Sequence, residues 1–233
     1  MDSTSIFIVI LVLVILFIVV KYVFNSAGTS GLEEATTETT IKSGDLEQNS
    51  SVNSAYSLWF YIKDWNENYG STKVLMKRQD GSGDGLKVSL GTYENKMDID
   101  IDYFDPMSSG KLTHTCTVYN VPIQTWNSMV ISIEQKSLDI YLNGKLAKSC
   151  LVPGVPYVDG TSDIVITPGP STQQFSGFTA SFKYYTYPID PEKAWSIYRG
   201  GYSGDYGIGQ YFSKYNVRFS LLQNNVEEGS FTL

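Results

Sequence analysis

Three aspartates at alternate positions, Asp98, Asp100 and Asp102, are the residues best spaced to do chemistry in this chain. In a strand they share one side, while Met97, Ile99, Ile101 and Tyr103 take the other. Paired carboxylates about 5–5.5 Å apart serve retaining glycoside hydrolysis, one as nucleophile and one as acid. The same row, joined by nearby Asp105, could instead chelate calcium, a hard cation that takes oxygen ligands. One strand's carboxylates seldom surround an ion unaided, and a solvated acidic face is the plainer reading. No catalytic residue and no resident metal is therefore expected, with Asp98, Asp100 and Asp102 kept as the calcium candidates.

The remaining chemistry-bearing residues are few. The one histidine, His114, stands alone in an alternating run and reads as structural. No Ser/His/Asp set stands out. The glycine-rich stretch from Gly200 to Gly209 does not join a strand to a helix, as a phosphate-cradling loop must, so no cofactor is expected. Cys116 and Cys150 are too few for a disulfide scaffold or a cysteine-rich zinc site. A bond between them needs Cα atoms under about 7 Å apart, and two buried free thiols are the alternative. Two aromatic groups remain: Tyr184, Tyr185 and Tyr187, then Tyr202, Tyr206 and Tyr211. Such rings, apolar with a polar tip, suit protein interfaces and core packing, and could also stack on sugars. The net charge of −7 comes without a basic cluster, which argues against nucleic-acid binding.

The elements that must position these residues are predominantly strands. Met129, Ile131 and Ile133 alternate in one run, and Leu138, Ile140 and Leu142 alternate in the next, with a polar turn at Gln135-Lys136-Ser137. Asn143-Gly144 accepts positive φ at both turn positions and folds a third strand back on the second. The pattern predicts strands at 56–63, 73–78, 86–90, 96–104, 113–119, 127–134, 138–142, 145–150, 163–166 and 177–187. Many short strands with glycine-rich turns between them indicate an all-β sandwich or jelly roll. One late helix is expected, capped by Asp190, opened by Pro191 and Glu192 and stopped at Gly200-Gly201. Its apolar stripe would be Ala194, Trp195, Ile197 and Tyr198. A glycine- and tyrosine-rich arm at 200–211 and a last strand at 216–222 complete the chain.

The N-terminal part has a different composition. Ile6 to Val20 is an unbroken apolar run, and a helix from Ile6 to Phe24 would rise roughly 28 Å, near the ~30 Å hydrocarbon core of a bilayer. Residues 1–24 are thus read as a single-span membrane anchor. Ile6, Phe7, Leu11, Leu16 and Phe17 would face lipid, with Lys21 and Tyr22 at the interface. Asp2 and the lack of a basic start argue against a cleaved signal peptide. Lys21 favours placing the C-terminal side in the cytoplasm, whereas use of the Asn49-Ser50-Ser51 acceptor would require the lumen. Residues 25–54, rich in Thr, Ser, Glu and Gly, read as a flexible polar linker, and 55–233 as the folded domain.

Three blocks carry a resemblance: Tyr56-Ser57-Leu58-Trp59-Phe60-Tyr61-Ile62, Pro122-Ile123-Gln124-Thr125-Trp126, and Leu138-Asp139-Ile140-Tyr141-Leu142-Asn143-Gly144-Lys145-Leu146. Together they resemble the concanavalin A-like, laminin-G-type jelly roll over roughly 55–233. The Leu151-Val152-Pro153-Gly154-Val155-Pro156 turn and the Asp190-Pro191-Glu192 helix, read with the anchor, further resemble membrane-anchored jelly-roll proteins of large icosahedral DNA viruses of the chlorovirus type. That resemblance implies a minor capsid component in the virion. It would be single-pass in the internal membrane, with its head on the capsid side, and have the bilayer and other capsid proteins as partners. It also implies a viral thiol-oxidising machinery, which favours a Cys116–Cys150 bond despite a cytoplasmic face. Glucanases of the fold carry Glu-x-Asp-x-Glu, which Asp98-Ile99-Asp100-Ile101-Asp102 echoes with shorter side chains and without the flanking aromatic and glycine pattern. The fold's lectins make a membrane-anchored, glycan-binding protein the alternative.

Overall fold

Alternation of large apolar side chains builds the first of two facing sheets. The computed structural model describes residues 32–47, 52–105, 107, 110–202, 218–223 and 226–232. Its strands are β1 (Glu33–Glu34), β2 (Thr39–Ile41), β3 (Ser54–Asp64), β4 (Lys73–Gln79), β5 (Gly85–Leu90), β6 (Met97–Phe104), β7 (Lys111–Val118) and β8 (Trp126–Glu134). They continue with β9 (Ser137–Leu142), β10 (Lys145–Leu151), β11 (Val155–Tyr157), β12 (Ile164–Ile166), β13 (Ser176–Tyr185), β14 (Arg218–Gln223) and β15 (Val226–Thr232). One α-helix, α1 (Pro191–Gly200), follows β13. The first sheet runs β1-β13-β3-β8-β9-β10. The second runs β11-β6-β5-β4-β12-β2, with β7 also on β6, and every pairing is antiparallel.

The core lies between the sheets. Tyr56, Leu58, Phe60 and Ile62 of β3 and Met129, Ile131 and Ile133 of β8 join Leu86, Val88 and Leu90 of β5 and Met97, Ile99 and Ile101 of β6. All of these are buried, so the period-two patterns mark true inner faces. Asn143 and Gly144 turn between β9 and β10 with φ of 52° and 75°. The Asn143 side chain also accepts from the Ser128 N–H at 2.9 Å.

On the outer face of the first sheet, Ala55, Val130 and Tyr141 form a second apolar cluster with Ile189, Ala194 and Ile197. Helix α1 covers this patch. Asp190 caps it by accepting from the Lys193 N–H at 2.7 Å, and Gly201 ends it at φ 79°. The stripe is narrower than predicted: Ala194 and Ile197 are buried, whereas Trp195 is 44% exposed.

The segment 25–54 departs from its reading as a linker. Within its described part, β1 pairs with β13 and β2 pairs with β12, while Ala35 and Leu46 are buried. Composition misleads here because an edge strand draws its order from a neighbour's unpaired backbone groups, with little apolar surface of its own. Strand β11 was hidden in a presumed turn because Pro156 lacks an N–H; it lies at the edge of its sheet, where that costs least. The hairpin of β14 and β15 belongs to a compact unit separate from the one formed by residues 26–203, and its second strand was not foreseen. The anchor residues Ile6, Phe7, Leu11, Leu16, Phe17, Lys21 and Tyr22, along with Asn49, Tyr206 and Tyr211, lie outside the described residues. Among the described residues, no helix is long and apolar enough to cross a membrane.

Cys116 on β7 and Cys150 on β10 are bonded, with Cα atoms 6.1 Å apart. These strands do not pair. They belong to different sheets, so the bond fastens one layer of the sandwich to the other.

Candidate functional site

The three aspartates of β6 face out from the second sheet, between β5 and β7. Hydroxyls of Thr117, Thr115 and Thr113 donate to Asp98, Asp100 and Asp102 at 2.7, 2.7 and 2.5 Å. The opposing oxygens meet Lys96 Nζ at 3.0 Å, Lys87 Nζ at 3.2 Å and the Gly85 N–H at 2.7 Å. Along a strand, same-side residues repeat at about 6.6–6.8 Å, wider than the ~5–5.5 Å of a retaining carboxylate pair. Among the described residues, no three His, Cys, Asp or Glu gather around one point. Asp105 is turned aside, accepting from the Met107 N–H at 3.0 Å. The row is a cross-strand ladder in which each carboxylate has its partners, and neither calcium chelation nor the spacing of a retaining carboxylate pair fits Asp98, Asp100 and Asp102.

A second acidic group is organised by a lysine. Lys111 Nζ lies 3.1 Å from Asp80, 2.9 Å from Asp84 and 3.7 Å from the Tyr157 ring centroid. Desolvation, the largest influence on Asp80, raises its pKa. Hydrogen bonds from Lys111, the Asp84 N–H, Tyr157 and the Ser82 N–H together outweigh it and hold Asp80 at about 2. A carboxyl lowered in the folded state stabilises above its unfolded pKa, and that contribution is lost as pH falls toward the folded value. Acid titration of Asp80→Asn should therefore lack a loss of stability that the parent shows between about pH 4 and pH 2. Comparing urea midpoints across that window checks this.

The open chemistry lies on the outer face of the first sheet, beyond α1. Along β3, Trp59, Tyr61 and Lys63 point outward at alternate positions, opposite the inward Leu58, Phe60 and Ile62. Trp59 is buried beneath Tyr198, stacked at 6.0 Å, and Tyr202, edge-on at 6.4 Å. Tyr202 stacks on Trp126 at 4.2 Å and 9°. Tyr61 packs against Trp126 at 5.7 Å and against Phe178 at 6.3 Å. The Ser181 hydroxyl donates to the Tyr202 carbonyl and fixes the ring's position.

These rings line a cleft of about 330 Å³, bounded by Leu32, Tyr61, Lys63, Trp126, Phe178 and Tyr202. Lys63 and Phe178 also border a neighbouring hollow of about 260 Å³, in which Glu34, Glu67 and Ser176 supply polar groups. Ligand sites commonly combine such an aromatic floor with a few polar groups at the rim.

Of the predicted tyrosines that are among the described residues, only Tyr202 reaches this cleft. Tyr184 instead packs on Tyr56 at 5.3 Å and beneath the Arg78 guanidinium, 4.9 Å from its ring. Tyr185 lies on the cluster under α1, where burial raises its pKa, and meets the half-exposed Tyr187 edge-on at 5.7 Å. Tyr61, Trp126 and Phe178 were not singled out as a site. The available signal was the placement of large rings at outward positions of strands whose other side already forms the core.

Comparison with known proteins follows the same line. Residues 34–194 match the Laminin_G_3 family model, described as the concanavalin A-like lectin/glucanases superfamily. No curated protein matches the sequence. Among solved structures, the botulinum neurotoxin serotype D binding domain is similar with a TM-score of 0.51 and 15% identity, over 66% of this chain and 37% of that one. The binding domain of botulinum neurotoxin DC, in complex with rat synaptotagmin II, has a TM-score of 0.52 and 11% identity, over 75% and 45%. The chain thus spans less than half the length of these structures, and at such identity the likeness is one of fold. The family match takes in more than half of the sequence, and its strands and core are those of the sandwich described above. The chain belongs to the concanavalin A-like lectin/glucanases superfamily, with a laminin-G-type jelly roll.

Proposed function

We propose that the chain is a non-catalytic binding module that presents the Tyr61, Trp126, Phe178 and Tyr202 cleft to a partner. In this reading it serves as a minor capsid component, its head contacting shell proteins while residues 1–24 hold it to an internal viral membrane. The observation that carries the binding role is the aromatic cleft that, among the described residues, is left open on an outer sheet face, while the β6 carboxylates are occupied by Thr, Lys and backbone partners. Aromatic side chains of this kind dominate binding energy at interfaces. Tethering the head near a shell raises its effective concentration, so weak individual contacts suffice.

A second reading, a membrane-anchored lectin, is favoured by the polar hollow beside the aromatic floor, where Glu34, Glu67 and Lys63 could bond sugar hydroxyls. Binding of the full chain to purified virion shells and to a glycan array separates the two. On the capsid reading, Trp126→Ala weakens shell binding by about thirtyfold, the effect of losing a hot-spot ring. Glycan binding that is lost in Trp126→Ala, without any shell binding, would replace the first reading by the second. Hydrolysis that disappears when Asp98 or Asp102 is neutralised would overturn both.

A further inference from the structure

The floor of the aromatic cleft belongs to one row of residues laid across four strands. Glu34 stands opposite Phe178, Phe178 opposite Tyr61, and Tyr61 opposite Trp126 in the pairing of β1, β13, β3 and β8. Directly paired residues share a face of the sheet. Neighbouring strands lie about 4.7–4.9 Å apart, so the row runs about 14 Å from an aromatic end to a carboxylate.

The aromatic end is a set of tilted rings. Tyr202 lies flat on Trp126 and covers that face of the indole. Tyr61 stands at 57° to Trp126 and at 50° to Phe178. Such a floor suits an apolar side chain better than a sugar ring, which needs a flat and uncovered face to stack on.

The other end is acidic. The hollow of about 260 Å³ beside Phe178 is lined by Glu34 and Glu67 and by a single cation, Lys63. Asp64 accepts from the Asn66 N–H at 2.9 Å, and this turn after β3 carries Glu67 back to the hollow. Among the described residues, none of these three charged groups forms an ion pair, in contrast to Asp98 and Asp100 of β6. Two carboxylates against one ammonium leave an excess of negative charge beside ring faces, whose quadrupole also favours cations.

We propose that this face binds an extended basic segment of a partner protein, with an apolar side chain between Tyr61, Trp126 and Tyr202 and an arginine about four residues further on at Glu34 and Glu67. An extended chain advances about 3.3 Å per residue, so that spacing matches the length of the row. Arginine is favoured over lysine because its planar guanidinium lies against a ring, here Phe178, while its N–H fork engages carboxylates. Lys63, at the border of both hollows, opposes such a ligand and would assist an acidic one. This rests on the reading of the cleft as a partner-binding site and adds what the partner must carry.

The test is calorimetry on the full chain with blocked Gly/Ser peptides that carry phenylalanine and, at that spacing, arginine, lysine, glutamine or glutamate. The arginine peptide should bind about fivefold more tightly than the glutamine one, the scale of an exposed ion pair, with lysine between them and glutamate weakest. The preference should vanish when Glu34→Gln and Glu67→Gln are combined, and fade as salt is raised. Lys63→Gln should tighten the arginine peptide by about twofold. The proposal is overturned if glutamine or glutamate binds as well as arginine, if the preference survives in the double variant, or if Lys63→Gln weakens arginine binding. Saturable binding of lactose with none of any peptide would also overturn it, in favour of a glycan. Failure of the underlying reading looks different: purified shells would then bind Trp126→Ala as tightly as the parent, whereas an error confined to the arginine leaves Trp126→Ala defective and the peptides undiscriminated.

Discussion

Serine at both Cys116 and Cys150 lowers the unfolding free energy by about 4 kcal/mol, the chain-entropy value for a loop of this size. The bonded residues are 34 apart in sequence, and the bond is a tie between β7 and β10, edge strands of opposite sheets. Apart from its pairing with β9, strand β10 has little side-chain packing to hold it, since all its residues except Cys150 are exposed. Removing the bond both frees the unfolded chain and releases this edge of the first sheet. Urea denaturation of the double variant, and of the parent under reductant, measures the effect. A loss below about 1 kcal/mol in both would mean that side-chain packing, and not the cross-link, joins the layers there.

Arg78→Ala is expected to cost about 2–4 kcal/mol, by leaving the buried Tyr56 hydroxyl and two half-buried carbonyls without their donor. Arg78 is 3% exposed and, among the described residues, forms no ion pair with a carboxylate. Its guanidinium donates to Ser162 O at 3.2 Å, to Gly160 O at 2.7 Å and to the Tyr56 hydroxyl at 3.2 Å, with the Tyr184 ring 4.9 Å away. One planar fork therefore connects β4, the loop before β12 and the inner face of β3. Arg78→Lys should recover only part of the loss, because an ammonium cannot reproduce that fork. Thermal and urea unfolding of the two variants checks both the size and the order. Equal stability of Arg78→Ala and the parent would show that water replaces the guanidinium at no cost.

The fold was legible wherever burial is one-sided. Leu58, Phe60 and Ile62 in β3, and Met129, Ile131 and Ile133 in β8, alternate because one side of each strand meets the opposite sheet. Helix α1 was legible from its ends, since Asp190, Pro191 and Gly201 satisfy local backbone demands that need no tertiary context. Strands β1, β2 and β11 were not, because pairing at an edge leaves no signature in side-chain hydrophobicity.

The site was less legible than the fold. Asp98, Asp100 and Asp102 attract attention by spacing alone, but apart from Lys96 beside Asp98 their partners, Thr113, Thr115, Thr117, Lys87 and the Gly85 N–H, lie on other stretches of chain, and register decides whether they meet. Tyr61 and Trp126, far apart in sequence, become neighbours only because β3 and β8 pair residue for residue. The Cys116–Cys150 bond depends in turn on how two sheets stack, which periodicity along one strand does not encode.

The short strands at the start of the sandwich have a mechanical consequence. Any pull applied at residue 32 first loads β1, held to β13 by two residue pairs, and only afterwards β2 and the Lys42–Asp163 ion pair. Peeling residues 32–47 away in that sequence would pay out roughly 50 Å of slack at full extension, before force reached the disulfide-fastened layers. Because Ala35 and Leu46 belong to the core, such peeling would draw on its packing while the disulfide still holds β7 to β10.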